Sequence, residues 1–367
     1  MRERACVLFC ALLAATSPAE EVEESQCVSE TEVSETELIG RQLWSWLREN
    51  GAFVDSRLVV RTDPGFLGGK VPGVFATAPL PQHSVLAQIP RRLMIASRVE
   101  EHMSSQESYC QTDRLLSAEL AKGNASFYWP YLQVLSRHSP ELPHYWSEGA
   151  RSLLRGLPPY DADRHEQFYT FYCKPEGPGR RAIQLQVARA HLDPSGKSCM
   201  VPFYDQLNHQ EASAAQLRSD WDSDGSMKLT TGVDIAEGEQ VFNHYAEDAP
   251  DLLRDYGFVP TLEGTRTHWY FQDDNGARHS FSVGPDGQAQ LKQAPTAVGS
   301  AAKRAGPVSF IGGPGVASEA ARRLLARLKS EVHPDPAKGL PADHALALQY
   351  RAALQQALES AFGKGSS

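Results

Sequence analysis

The sequence predicts an α+β fold: a β-rich core of short strands, split by a helical insertion, followed by a mainly helical C-terminal part. Residues 58–95 and 200–245 hold short apolar runs punctuated by Gly and Pro, the pattern of short strands. Between them, over about residues 98–191, apolar positions shift to helical spacing, with Leu115, Leu116 and Leu120, then Tyr131, Leu132 and Leu135, then Phe168, Phe171 and Tyr172. Two Leu and Ala stripes of helical period close the chain over 317–332 and 342–362, and they read as packing faces.

Taken in order, residues 1–19 have the three-part form of a targeting signal. Arg2 and Arg4 precede an apolar run from Ala5 to Ala15, and Ser17-Pro18-Ala19 offers a cleavage site. The run is too short to span a bilayer, so no transmembrane segment is expected. A secretory destination, or a complex plastid reached through it, is the expected route. Residues 20–39 form an acidic, disordered leader rich in glutamate. A short amphipathic helix follows at about 37–50, with Leu38, Leu43, Trp44 and Leu47 on one face. Strands are expected at Leu58-Val59-Val60, at Gly73-Val74-Phe75-Ala76 and over 84–90. After the insertion, strand signals resume from Met200 to Tyr245. Gly257 and Pro260 mark a joint, Pro285-Asp286-Gly287 supplies the turn of a hairpin over 281–291, and residues 299–315 read as a Gly-rich loop.

Composition bounds the function. A 367-residue chain with 41% hydrophobic and 22% charged residues can bury a sizeable core, and two domains are expected. Its net charge of −9 disfavours a general electrostatic grip on nucleic acid and favours a basic partner. The six cysteines show no C-x-x-C spacing, so neither a zinc site nor a disulfide scaffold is indicated. A pair could still oxidise in an exporting compartment, and the spacing does not say which. A monomeric chain is expected.

Two segments stand out as candidate chemistry. Val201-Pro202-Phe203-Tyr204-Asp205-Gln206-Leu207-Asn208-His209 is a strand-like apolar run ending in Asn-His, whose polar atoms need partners if buried. Some thirty residues on, Gly238-Glu239-Gln240-Val241-Phe242-Asn243-His244-Tyr245 leads an apolar pair to a tyrosine.

With Gly73-Val74-Phe75-Ala76-Thr77, Ile89-Pro90-Arg91-Arg92-Leu93-Met94-Ile95, Tyr128-Trp129-Pro130-Tyr131-Leu132 and Asp255-Tyr256-Gly257-Phe258, these segments resemble the SET domain of the branch that includes RuBisCO large-subunit lysine methyltransferases and actin-histidine methyltransferases. Tyr350-Arg351 and the helix to Phe362 are similar to the end of that branch's C-terminal substrate-binding domain. The resemblance covers about residues 40–362. It implies a SET domain over 40–259 and a short substrate-binding domain over 260–367. It also implies a protein N-methyltransferase using S-adenosyl-L-methionine, without a metal, most readily on a lysine of a non-histone protein. Tyr245 and Tyr256 would be the catalytic tyrosines. Asn208, His209, Arg189, Gly73, Pro72 and Val71 would hold the cofactor, and Asp205 would line the substrate channel.

The chemistry suits those residue types. A free lysine has a pKa near 10.4, so presenting it neutral at pH 7 costs on the order of 4 to 5 kcal/mol. An apolar channel lowers that pKa by desolvation, and aromatic faces favour a positive methyl donor. A guanidinium at Arg189 suits a carboxylate. One departure stands out: where the family writes Gly-x-Gly, this chain has Lys70-Val71-Pro72-Gly73 and keeps only the second glycine. Proline lacks an N–H and fixes φ, so a rearranged turn is expected. Two alternatives stay open: a histidine acceptor, whose imidazole is already neutral at pH 7, and a SET-like binding module without catalysis.

Overall fold

A computed structural model describes residues 34–62, 71–97, 104–137, 141–158, 173, 179–210, 216–260, 266–273, 278–291, 314–331 and 340–363. The targeting-like segment, most of the acidic leader, Lys70, Phe168, Phe171, Tyr172 and residues 299–313 lie outside them.

Helix α1 (Glu35–Glu49) begins where Ser34 caps the Glu37 N–H and buries Ile39, Leu43, Trp44 and Leu47. Short strands follow: β1 (Phe53–Val54), β2 (Leu58–Thr62), β3 (Pro72–Ala76), β4 (Val85–Ile89) and β5 (Ile95–Ala96). The insertion then supplies α2 (Ser105–Lys122), started by a Ser104–Glu107 capping box, with α3 (Trp129–Arg137), α4 (Glu148–Leu153) and α5 (Arg180–Arg189). The β core resumes with β6 (Ala190–Leu192), β7 (Ser198–Met200), β8 (Asn208–His209), β9 (Leu217–Trp221), β10 (Met227–Thr231) and β11 (Gln240–Asn243).

Three sheets interleave the two halves, in the orders β1-β4-β10-β9, β2-β3-β11-β8 and β5-β7-β6. Each combines strands from before and after the insertion, so the helices interrupt one core. That core is dry, with Val60, Val74, Leu86, Ile89, Leu229 and Val241 almost fully buried beside Leu43, Leu47 and Tyr131.

Beyond β11 come α6 (Ala249–Tyr256), β12 (Thr267–Gln272), β13 (Arg278–Val283), β14 (Ala289–Leu291), α7 (Pro314–Ser330) and α8 (Ala342–Phe362). The Pro-Asp-Gly hairpin forms as the sequence predicts, with Gly287 at φ 72°. Strand β12, absent from the sequence reading, completes its sheet opposite β13. A second apolar cluster joins Trp269, Phe271, Phe281, Tyr350, Leu354 and Phe362 to Trp146, Leu154, Ala249, Leu253 and Val259. This cluster therefore draws on the insertion and on α6, as well as on residues after 260. Among the described residues, no helix is long and apolar enough to cross a membrane.

Cys110 on α2 is disulfide-bonded to Cys173, 63 residues further on, while Cys199 is buried and free. Spacing could not name this pair, because only the packing of the insertion brings the two together.

Candidate functional site

The segment read as a strand, 201–209, is mostly not one. Only Asn208–His209 pairs, as β8, and Tyr204–Gln206 is a turn of 3-10 helix. The reason is local: Phe203 adopts φ 76° and is fully buried, sending the chain into a tight corner. A left-handed non-glycine costs about 1–3 kcal/mol and persists only when its surroundings hold it. Here the Trp44 ring lies 5.5 Å from Phe203, the Trp44 indole N–H donates to Gln206 Oε1 at 2.7 Å, and the Tyr204 hydroxyl donates to Asn243 Oδ1 at 3.0 Å. A tryptophan read as packing thus also anchors the corner.

The corner brings the two sequence segments together. β8 runs parallel to β11, with Asn208 opposite Phe242 and His209 opposite Asn243. Asn208 Nδ2 donates to the Pro72 carbonyl at 3.1 Å, tying the Asn-His strand to the start of β3, beside Val71. Pro72 is the first residue of β3, opposite Thr62, a position where a strand tolerates a missing N–H. The proline is thus absorbed as the first residue of a strand. Gly73 is needed for close approach: a Cβ there would lie 2.1 Å from Gln240 Nε2 and 3.0 Å from Asn208 Nδ2. Gln240 also lines an open cleft of about 610 Å³, together with Arg61, Phe75, Gln210, Gln216 and Phe242.

On the other side of the corner stands an aromatic cluster. His209 Nδ1 accepts the Tyr245 N–H at 3.1 Å, which puts the imidazole proton on Nε2. The His209 ring lies 5.5 Å from His244, 5.5 Å from Tyr245 and 5.8 Å from Phe258. Tyr245 and Tyr256 stack at 4.7 Å and 23°, and the Tyr256 hydroxyl donates to the Tyr245 carbonyl at 3.3 Å. The Tyr245 hydroxyl donates to the Leu207 carbonyl at 2.5 Å. Tyr256 closes α6 just before Gly257, whose φ of 71° turns the chain so that Phe258 reaches the cluster.

A charged group lies behind these rings. Arg189, the last residue of α5, donates from Nη1 to the Asp205 carbonyl at 2.7 Å. The fully buried Tyr131 hydroxyl donates to Asp205 Oδ2 at 2.6 Å. Burial pushes the Asp205 carboxyl up to about 6, with Arg189 and Tyr131 pulling it back. Burial pushes His209 down to about 4, with His244 adding to it, so the ring is neutral at pH 7. Burial likewise raises the Tyr245 and Tyr256 hydroxyls far above the ordinary range, keeping both as neutral donors.

Every nominated residue therefore lies in one neighbourhood: Val71, Pro72 and Gly73 with Asn208 on one side, His209, Tyr245 and Tyr256 on the other, Arg189 and Asp205 behind. Sequence reading missed Phe258, His244, Tyr204 and Tyr131 as members. Phe258 was legible, two residues after Tyr256; Tyr131 was not, because its helical spacing marks it as core. The site offers a polar ligand specific attachments. The amide of Gln240 and Nε2 of His209 are buried without a partner among the described residues.

Residues 72–246 match the family model described as SET domain. A curated relative, ribosomal lysine N-methyltransferase set10 of Schizosaccharomyces pombe, is 24% identical over 164 residues, covering 39% of this chain. The chain spans 30% of that relative's length. Among solved structures, the SET domain of LSMT bound to lysine and AdoHcy superposes with a TM-score of 0.55 at 14% identity, over 90% of this chain and 91% of that one. Rubisco LSMT bound to AdoMet gives 0.52 at 14%, over 89% and 91%. The likeness shows a shared fold.

Proposed function

We propose that this chain, whose residues 72–246 match the family model described as SET domain, is an S-adenosylmethionine-dependent protein methyltransferase acting on a lysine side chain. The observation that carries the reading is the corner at 203–209, which joins a glycine-lined polar edge to an aromatic cluster. When bound, S-adenosylmethionine supplies an electrophilic methyl group on a sulfonium, needing no metal. Asn208, His209, the backbone at Val71, Pro72 and Gly73, and the Arg189 guanidinium are the groups proposed to hold it. The orphaned polar atoms of Gln240 and His209 fit such a ligand.

This chain's own contribution is alignment and electrostatics. Tyr245, fixed on the Leu207 carbonyl and stacked on Tyr256, presents a neutral oxygen and an aromatic wall to the acceptor amine. The neutral His209 keeps a second positive charge away from a cationic donor. Lysine as acceptor is in keeping with the lysine-bound SET domain that this chain resembles in fold. The acceptor is proposed to lie on a non-histone protein, in keeping with the ribosomal and Rubisco enzymes that this chain resembles. Residues 260–367 are proposed to add the substrate-docking part. The Cys110–Cys173 disulfide, with the signal-like residues 1–19, supports folding in an oxidising compartment.

The test is incubation of the purified chain with labelled S-adenosylmethionine and candidate protein extracts, followed by mass spectrometry of the acceptor residue. Methyl-lysine is expected. Calorimetry showing no binding of S-adenosylmethionine would remove the proposal, and methyl-histidine alone would redirect it. A Tyr245→Phe variant is expected to lose roughly 10- to 100-fold in kcat, about 1.4 to 2.7 kcal/mol.

A further inference from the structure

Two tyrosines tie the corner to the end of β11 in opposite directions. From the corner, the Tyr204 hydroxyl donates to Asn243 Oδ1 at 3.0 Å, and both residues are buried. From beyond β11, the Tyr245 hydroxyl donates back to the Leu207 carbonyl at 2.5 Å, and the Tyr245 N–H donates to His209 Nδ1 at 3.1 Å. Asn243 is the last residue of β11 and stands two residues before Tyr245. Its backbone carbonyl accepts the Gln210 N–H at 2.8 Å, and it faces His209 across the parallel pair. The strand end, the corner and the Tyr245 ring thus form one hydrogen-bonded loop, in which Tyr204 links the turn of 3-10 helix to the strand.

Tyr204 is itself held from behind. The ring of His191, in β6, meets the Tyr204 ring edge-on at 3.9 Å, and Arg189, two residues earlier, donates to the carbonyl of the adjoining Asp205. The junction of α5 and β6 therefore grips two consecutive residues of the corner. That grip has a use, because Phe203, just before them, carries the left-handed backbone, and such strain persists only where the surroundings hold it. Without the Tyr204 hydroxyl the corner keeps its apolar packing but loses this tie to β11. The Leu207 carbonyl, which anchors Tyr245, is then free to shift.

We propose that Tyr204 is a positioning residue: through Asn243 it fixes the corner against β11, and by way of the Leu207 carbonyl it aims the Tyr245 hydroxyl. The inference rests on the part given to Tyr245 above. Tyr204 acts through its partners and need touch neither cofactor nor acceptor. Reaction geometry is steep, since a misplacement of about 1 Å can cost roughly 100-fold in rate. Losing one supporting hydrogen bond allows a smaller shift, so Tyr204→Phe is expected to lower kcat about tenfold. Affinity for S-adenosylmethionine should stay unchanged, because Asn208 keeps its pairing with β11 and its bond to the Pro72 carbonyl.

The test is a double-variant cycle on kcat with Tyr245→Phe. Adding Tyr204→Phe to Tyr245→Phe should cost nothing further, since the hydroxyl to be aimed is already gone, whereas two independent losses would multiply. A general loosening of the fold would slow both backgrounds alike. Carbon-13 NMR of tyrosine labelled at the hydroxyl-bearing carbon adds a readout that needs no turnover. The Tyr245 signal, assigned by its absence from Tyr245→Phe, is expected to shift in Tyr204→Phe. Wild-type kcat in Tyr204→Phe overturns the proposal, as does a loss that multiplies the one caused by Tyr245→Phe. Should Tyr204→Phe fail to fold, Asn243→Leu, which removes the acceptor instead of the donor, is read in the same cycle. Should wild type methylate nothing, the reading of the site falls and the NMR decides alone: an unmoved Tyr245 signal overturns the link from Tyr204 to Tyr245.

Discussion

Replacing Gly73 by alanine tests the join between β3 and the Asn-His strand most directly. The added Cβ would stand 2.1 Å from Gln240 Nε2, about 1.3 Å short of ordinary contact at 3.4 Å, and 3.0 Å from Asn208 Nδ2. Gln240 must move first; its amide is the far end of a flexible side chain bordering the open cleft, so the strain lies at the low end of core overpacking, about 1 kcal/mol. Asn208 would then be pushed off the Pro72 carbonyl, a hydrogen bond worth roughly 0.5–1.5 kcal/mol. A urea titration should show Gly73→Ala destabilised by about 2 kcal/mol. Calorimetry should show about tenfold weaker binding of S-adenosylmethionine, the equivalent of one hydrogen bond at 1.4 kcal/mol. The Gln240 amide makes no hydrogen bond among the described residues, so Gln240→Ala in the same chain should relieve the collision and restore most of the affinity. Wild-type stability and affinity in Gly73→Ala, or no rescue in the double variant, would refute the packing argument.

Three further outcomes follow from the same physics. Cys110→Ser removes a cross-link spanning 63 residues and should lower unfolding stability by about 4 kcal/mol, read as a lower urea midpoint under non-reducing conditions. His191 and His209 are buried with pKa values near 4 against 6.5 unfolded, so their stability contribution is complete above 6.5 and is lost as pH falls toward 4. Urea unfolding at pH 7 and 5 should therefore show an acid loss, and His191→Phe should flatten it. Trp44→Phe puts a smaller ring in a buried site and loses the bond to Gln206, so it should cost about 2–3 kcal/mol of stability and lower kcat more than it changes S-adenosylmethionine affinity.

Much of this protein was legible before any coordinates. Hydrophobic period separated the strand runs from the helical insertion, because a strand repeats every two residues and a helix every 3.6. Gly257 and the Pro-Asp-Gly turn announced themselves through the backbone angles they permit. The order of Asn208-His209 and Tyr245 nominated the candidate site through the resemblance it carries. Strand β12, Thr267–Gln272, was legible too: Asp273-Asp274-Asn275-Gly276, a hairpin turn signal, follows it in the sequence. The 201–209 corner was misread as a strand because apolar content reports burial, and a fully buried corner is as apolar as a fully buried strand.

What the sequence determined by itself was the α+β class and the interrupted core, properties written in local spacing, and the motifs that carry the proposed methyl-transfer reading. What only the tertiary structure decided was which side chains meet. Phe203 taking a left-handed turn, Gln240 lodging against Gly73, Cys110 finding Cys173 and Tyr131 reaching Asp205 across 74 residues are contacts between distant segments. Their energies depend on packing geometry, which no local pattern encodes.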